Sequence, residues 1–478
     1  MTTHDTTPQP TPLLSTLLTL LAEYRPATPQ QRTYLRMVHL SLASVLSLGR
    51  HTLSQLLVAL GLGGSDWSAW HRLFSLGRVK PAVRQRVLVG QLASVISADE
   101  PVLAVVVDGT SLPRTSRTMP GCGYTRHPQT PAWRRGIGLA QRYVGISALL
   151  PRSAMGDSRA VPLQWLLLRT AKTTPMGDAP ERSESAGGIA LIQWVRERWD
   201  AEGRVDQPIL VLGDGSYSTA PVVSGLPARS VLLARCAKNR ALYHPSTYRT
   251  QGRGRQPRYG ERGPTPQQVL HHRTGWRRVS CLVRGRQVTP MVHLSGPWLI
   301  KGAPLNPVML IVVRGVDRGR GVTRRQREPH FFLVSVTMTS EDAWELVLPL
   351  DELVAWAWQR WEVEVMHREL KTGFGLGEQQ AFSDKGAATI IPWMVWVYAL
   401  LILTGYLTWG LGPGATPDLG RWWHARRWSC GRLWQGVRKE LWQAGEFQPV
   451  WQRTPDNWQE ITVWIVSQTT AALGARRT

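Results

Sequence analysis

Val102-Leu-Ala-Val-Val-Val-Asp108-Gly109 is a run of six apolar residues closed by an acid and a glycine. An unbroken apolar run of this length predicts a strand buried on both faces, and such strands belong to sheets covered by helices. Asp108 is expected to end that strand. Outward from it, residues 143–150 and 165–168 read as two more strands, and 188–199 as an amphipathic helix. A second continuous run, Ile209-Leu-Val-Leu212, leads into Gly213-Asp214-Gly215. A short helical stretch and a strand at 231–234 follow. The order is three strands, helix, strand, helix, strand. That predicts a mixed α/β layout with the strands ending at Asp108 and before Asp214 in its centre.

The flanking segments differ in kind. Residues 1–98 read as helical, with helices expected from about Pro29 to Leu48, at 52–60, from Ser65 or Asp66 to Phe74, and at 81–96. The short helix, glycine turn and short helix at 52–74 have helix-turn-helix proportions, which a plain helical bundle shares. This block carries nine Arg or Lys against Asp5, Glu23 and Asp66. Residues 238–346 break the alternation with short strand-like runs and two basic, Gly-rich loops, 249–258 and 318–327. A helix is expected from near Asp351 to Lys371, and the remainder is helical and rich in Trp. The expected organisation is a helical, DNA-binding block at 1–98, a first core segment at 99–237 and a β-rich insertion at 238–346. Core helices at 347–412 and a helical Trp/Arg-rich region at 413–478 complete it.

Composition narrows the partner. The 478 residues carry 57 Lys or Arg against 33 Asp or Glu, a formal charge of +24 and a sequence pI near 10.9. Such an excess points to a polyanion, either nucleic acid or an anionic membrane surface. The cations are almost all Arg, whose fork matches phosphate bidentately; a GC-rich coding bias also raises Arg over Lys. Cys122, Cys236, Cys281 and Cys430 are scattered, which argues against a disulfide framework or a zinc site. The apolar run 13–22 has no positive lead, so a cytoplasmic, reducing setting is expected. Residues 390–407 are uncharged and long enough to span a bilayer. The reading preferred here is a helix covered on all sides inside the protein, with no membrane partner.

Asp108 and Asp214 carry the chemistry. Each Asp-Gly pair alone is a turn signal. Two of them at the carboxyl ends of adjacent buried strands form a candidate ligand site, and two carboxylates so placed repel until a divalent cation lies between them. A third acid comes from the helix around Trp361. With roughly 100° of turn per residue, Glu364, His367 and Lys371 fall within about 40° of Arg360, while Glu362 and Glu369 point to the opposite side. An Arg360–Glu364 pair is also an ordinary helix-stabilising contact.

Arg360-x3-Glu364-x6-Lys371 resembles the signature of bacterial insertion-sequence DDE transposases with a Tyr-x2-Arg-x3-Glu-x6-Lys element. The Tyr position holds Ala357, a departure from the family pattern. Asp108-Gly-Thr-Ser, Pro120-Gly121 and Arg126-His-Pro are similar to the block around the family's first Asp, and Asp214 falls where its second belongs. The resemblance implies an RNase H-like core interrupted by a β-rich insertion. It implies Asp108, Asp214 and Glu364 as catalytic ligands of two Mg²⁺ (or Mn²⁺) ions. It implies metal-dependent cleavage at the ends of an insertion element, strand transfer into target DNA, and a homodimer in the synaptic complex. Arg360 and Lys371 would meet DNA phosphates, with His367 and Arg368 as helpers. Members of this type stack a flipped base on an aromatic residue of the insertion, for which Trp298 and Trp276 are the candidates; with 23 Trp in the chain, ordinary packing is the preferred reading for either ring. Arg253 and Arg255 are expected to touch DNA backbone without sequence choice. The Trp422–Trp428 cluster would touch DNA or cap the last helices. The alternative function is a catalytically inactive, transposase-derived DNA-binding regulator, against which the presence of all three acids argues.

Overall fold

The computed structural model describes residues 12–126, 136–176, 182–246, 256–314, 328–338, 344–413 and 427–443. Its N-terminal block is helical: α1 (Pro12–Ala22), α2 (Gln31–Leu46), α3 (Leu53–Ala59), α4 (Ser68–Ser75) and α5 (Pro81–Val95). The Thr52 side chain caps α3, and Asp66 accepts from the Ser68 N–H at the start of α4.

The central sheet contains β1 (Leu103–Pro113), β2 (Cys122–Arg126), β3 (Ile137–Leu149) and β4 (Ala160–Leu168). After α6 (Glu184–Ala201) come β5 (Ile209–Gly213), α7 (Ala220–Ser224) and β6 (Ser230–Arg235). β3 lies antiparallel between β1 on one side and β2 and β4 on the other. β1, β5 and β6 run parallel. This mixed sheet, with helices at both ends of the chain, is consistent with an RNase H-like core. The two strands expected at the centre are there: β1 pairs β5 from Leu103↔Ile209 to Val107↔Gly213.

Two local expectations need correction. Asp108 does not end its strand. β1 continues to Pro113 because β3 still pairs with it beyond the point where β5 stops. The helix expected over 351–371 is two, α9 (Leu350–Gln359) and α10 (Trp361–Thr372), which break at Arg360.

The stretch between these halves holds α8 (Pro266–Leu270), β7 (Trp276–Arg278), β8 (Cys281–Val283), β9 (Arg286–Val288), β10 (Met291–Ile300) and β11 (Ala303–Val313). β12 (His330–Ser335), β13 (Thr337–Met338) and β14 (Trp344–Glu345) follow. It is β-rich, and β12, β11, β10 and β7 extend the central sheet outward from β6. α11 (Asp384–Trp409) and α12 (Cys430–Gln443) close the described chain. α11 contains the long apolar segment. Of its most apolar window, 78% is buried, against α1, α4, α12 and β4. One apolar cluster runs from Leu13 of α1 through β1, β5 and β11 to Leu441 of α12.

Candidate active site

β1 supplies Asp108 at the first position beyond its parallel ladder with β5, and Asp214 follows the last residue of β5. The sheet therefore opens between the two acids, as crevices do outside the carboxyl ends of parallel strands. Asp108 accepts from the Gly109 N–H at 2.9 Å. Asp214 accepts from the Ser216 N–H at 2.8 Å and so starts the 3-10 turn Gly215–Tyr217.

α10 brings the third acid across this opening. Glu364 receives the Arg360 guanidinium at 2.5 Å, one helical turn away. His367 Nδ1 stands 3.8 Å from Asp108 Oδ2, and its ring meets Trp165 edge-on at 5.4 Å. Met366, one residue earlier, is buried and receives the Ser147 hydroxyl of β3. That contact helps seat α10 on the sheet and fixes which side turns to Asp108.

Asp108, His367 and Lys371 each respond to the charges around them. Burial pushes the Asp108 carboxyl up to about 7, Asp214 and Glu364 add to the rise, and Arg360 and the Gly109 N–H oppose it. Burial, then Lys371 and Arg360, lower His367 to about 3, so its imidazole is neutral near pH 7. At 3.8 Å a neutral ring makes no ion pair with Asp108 and is too distant for a hydrogen bond. Surrounding protein lowers the Lys371 ammonium, while Asp108 opposes the fall.

The donor set fits a hard divalent cation: carboxylate oxygens that repel one another at the mouth of a sheet. Among the described residues, no three His, Cys, Asp or Glu side chains already stand close enough together to hold an ion. Glu364 faces Arg360 instead.

The structure thus gathers Asp108, Asp214, Glu364, Arg360, His367 and Lys371 and sorts the rest. Arg368 is exposed on α10. Glu362 is buried against Arg427 and Arg284, and Glu369 against Arg159 and the Tyr398 hydroxyl, both away from Asp108 as the helical phase requires. Trp298 is corrected as a stacking platform. It is 6% exposed, with His244 against it at 4.6 Å and Gly263 beneath its ring, which leaves no face for a base. Trp276 is already occupied by the Arg314 guanidinium, 3.8 Å from its centroid. Arg253, Arg255 and the loop 318–327 lie outside the described residues. Of the Trp422–Trp428 cluster only Arg427 and Trp428 are described, and both are tied inward: Arg427 to Glu362, and Trp428 to the Gly410 carbonyl at the end of α11.

Sequence reasoning missed three neighbours of the site. Glu184 opens α6, Arg142 of β3 donates to it at 2.5 Å, and the Tyr217 hydroxyl donates to it at 3.4 Å. Only the Ser183-Glu184 helix start was readable beforehand, as a cap and an acid in the first turn.

The family model described as DDE superfamily endonuclease matches residues 23–290, more than half of the chain. That span includes Asp108 and Asp214, whereas Glu364 lies beyond it. No curated protein matches the sequence.

Proposed function

The chain belongs to the DDE superfamily of endonucleases, and we propose that within it the protein is a transposase that cuts DNA at the ends of an insertion element and joins them to target DNA. The observation that carries this reading is the position of Asp108 and Asp214 at the end of the parallel ladder between β1 and β5, with Glu364 of α10 near enough to act on the Asp108 carboxyl. In it, Asp108, Asp214 and Glu364 hold Mg²⁺ or Mn²⁺. When bound, a pair of such ions activates the attacking oxygen and stabilises the leaving one in phosphodiester transfer. The protein's own contribution is placement: β1 and β5 fix two acids at the mouth of the sheet and α10 lays the third across it. Arg360 and Lys371 put two cations beside the acids, where a DNA phosphate would lie.

The N-terminal helices supply recognition in this reading. Leu73 and Phe74 bury one side of α4 against the core, while Ser68, His71 and Arg72 stay exposed on the other. Nearby, the Arg36 guanidinium lies over the Trp70 ring of α4 at 5.8 Å, and burial, then the adjoining Arg32 and Arg78, hold it below its usual range. Two copies acting on paired ends, in the cytoplasm where the element's DNA resides, complete the proposal.

The test uses linear duplexes carrying the DNA that flanks the coding region, incubated with the purified chain and Mg²⁺ or Mn²⁺. Metal-dependent cuts at fixed positions, followed by joining to a second DNA, are expected. Tight binding to the flanks with no cut in either metal would overturn the enzyme reading in favour of a regulator.

A further inference from the structure

We propose that Tyr217 and Glu184 are positioning residues that set the distance between Asp108 and Asp214, with Arg142 holding Glu184 in place. This rests on the reading of those two acids as cation ligands. The three residues come from separate elements. Arg142 lies on β3, Glu184 is the first residue of α6, and Tyr217 closes the turn after β5.

Tyr217 has one place to be. It is 1% exposed, and its backbone N–H donates to the Asp214 carbonyl at 3.2 Å. The side chain fits where Gly188 of α6 and Gly213 of β5 leave room. A Cβ on Gly188 would sit 2.7 Å from its ring, and one on Gly213 2.8 Å from its own Cβ. Burial, followed by the Glu184, Asp108 and Asp214 carboxylates, pushes the phenol far above its ordinary value, so the hydroxyl keeps its proton and has it to donate. Its acceptor is Glu184 Oε1.

Glu184 then reaches β1. A Cβ on Gly109 would lie 2.5 Å from Glu184 Oε1, so the carboxylate rests against the backbone of the residue next to Asp108. Successive strand residues face opposite sides of a sheet. Glu184 therefore backs β1 from the α6 side, while His367 stands with Asp108 on the α10 side. The link runs from the Asp214 turn through Tyr217 and Glu184 to Gly109 and Asp108. It crosses the gap that opens once the β1–β5 ladder ends at Val107↔Gly213. The negative end of Glu184 also lies at the helix N-terminus, where the α6 dipole favours it.

Residues that orient metal ligands change metal affinity about 10- to 100-fold when removed. The experiment measures the Mn²⁺ dependence of DNA cleavage, Mn²⁺ binding by calorimetry, and Tm, for the full chain and for Tyr217→Phe, Glu184→Ala, Glu184→Gln and the Tyr217→Phe/Glu184→Ala double variant. Tyr217→Phe and Glu184→Ala should each raise the half-saturating Mn²⁺ concentration about tenfold, with kcat at saturating metal within about twofold of the parent. Glu184→Gln keeps an acceptor for Tyr217 and should recover most of the shift. The double variant should be no worse than Glu184→Ala, since both substitutions break one link. Should Glu184→Ala fail to fold, Tyr217→Phe, which loses a single oxygen, decides alone. Metal dependence unmoved in Tyr217→Phe, or a lowered Tm as its only change, overturns the proposal. A parent chain that neither binds Mn²⁺ nor cuts DNA overturns the nuclease reading itself. A parent that does both, beside variants that match it, overturns only the link.

Discussion

Asp108 holds its proton to about pH 7, far above an ordinary aspartate, because it is buried and faces Asp214 and Glu364. The sign of the linkage follows. Between the usual aspartate range and about 7, the folded chain keeps a proton that the unfolded chain has released, so stability falls as pH rises through that window. The shift bounds the loss at about 4 kcal/mol. In chelator, Tm should therefore fall from about pH 5 to pH 8 by more in the parent than in Asp108→Asn. Mg²⁺ should restore Tm chiefly at the higher pH. Equal pH slopes for the two proteins would show that Asp108 is not the group responsible. The five acids around α10 and the sheet mouth divide just as sharply. Asp108→Ala, Asp214→Ala and Glu364→Ala should abolish cleavage and leave DNA binding nearly intact. Glu362, 2% exposed and paired with Arg427 and Arg284, should behave otherwise. Glu362→Ala removes a buried carboxylate from Arg427 and Arg284, whose own side chains are 21% and 48% exposed and so open to water, and should cost about 1 kcal/mol, read in urea melts, while the folded fraction still cuts. Glu369→Ala should follow it, through Arg159 and Tyr398.

α11 is the element whose sequence is most open to misreading. Length and hydropathy fit a bilayer span, yet Leu400, Leu401, Ile402 and Leu403 are each 1% exposed or less among other parts of the chain. Phe74 of α4 meets its Trp393 edge-on at 5.5 Å, and Tyr24 meets its Trp396 at 4.8 Å. The chain should remain in the supernatant after a high-salt wash, which removes adherence through its positive charge. Recovery only with detergent would mean that this packing does not form. Leu401→Ala should cost about 2–5 kcal/mol of unfolding free energy, the price of a core cavity rather than of a lipid contact.

On the scale of the molecule, the N-terminal helices are part of the core and not an appendage. Arg84 of α5 is buried, with its guanidinium 5.6 Å from the Trp396 ring. α12 binds α1 through Glu440 to the Leu14 N–H at 2.7 Å, and α2 through Arg438 to the Val45 and Ser47 carbonyls. Gln379, in the loop after α10, donates to the His51 carbonyl between α2 and α3, and Arg114 just past β1 donates to the Gly377 and Gln379 carbonyls. Cutting away residues 1–98 would strip the core, so DNA recognition must be tested by surface substitution. His71→Ala with Arg72→Ala should reduce preference for element ends over scrambled DNA. Arg253→Ala with Arg255→Ala should weaken both alike and flatten the log–log salt slope by about 2, since each phosphate contact contributes about 0.9. Salt titrations on the two DNAs check this. Loss of end preference in the second pair, but not in the first, would move recognition from α4 to the 249–258 loop.

What the sequence determined by itself is local and periodic. Continuous apolar runs fixed β1 and β5 as buried central strands, since only a strand covered on both faces tolerates no polar break. Helical phase placed Glu364, His367 and Lys371 with Arg360, and Glu362 and Glu369 opposite, because 3.6 residues per turn needs no tertiary partner to hold. Strand ends were not so legible: β1 runs past Asp108 because β3 supplies hydrogen bonds that no stretch of β1 encodes. Nor was the fate of Trp298, since a tryptophan carries the same letters whether a base or His244 covers its ring. Glu184, Tyr217 and Arg142 lie far apart along the chain and carry no shared spacing. Only the packing of α6 against β3, β1 and the turn after β5 brings them together, through contacts made possible by glycines whose missing Cβ atoms matter once the strands and helix have met.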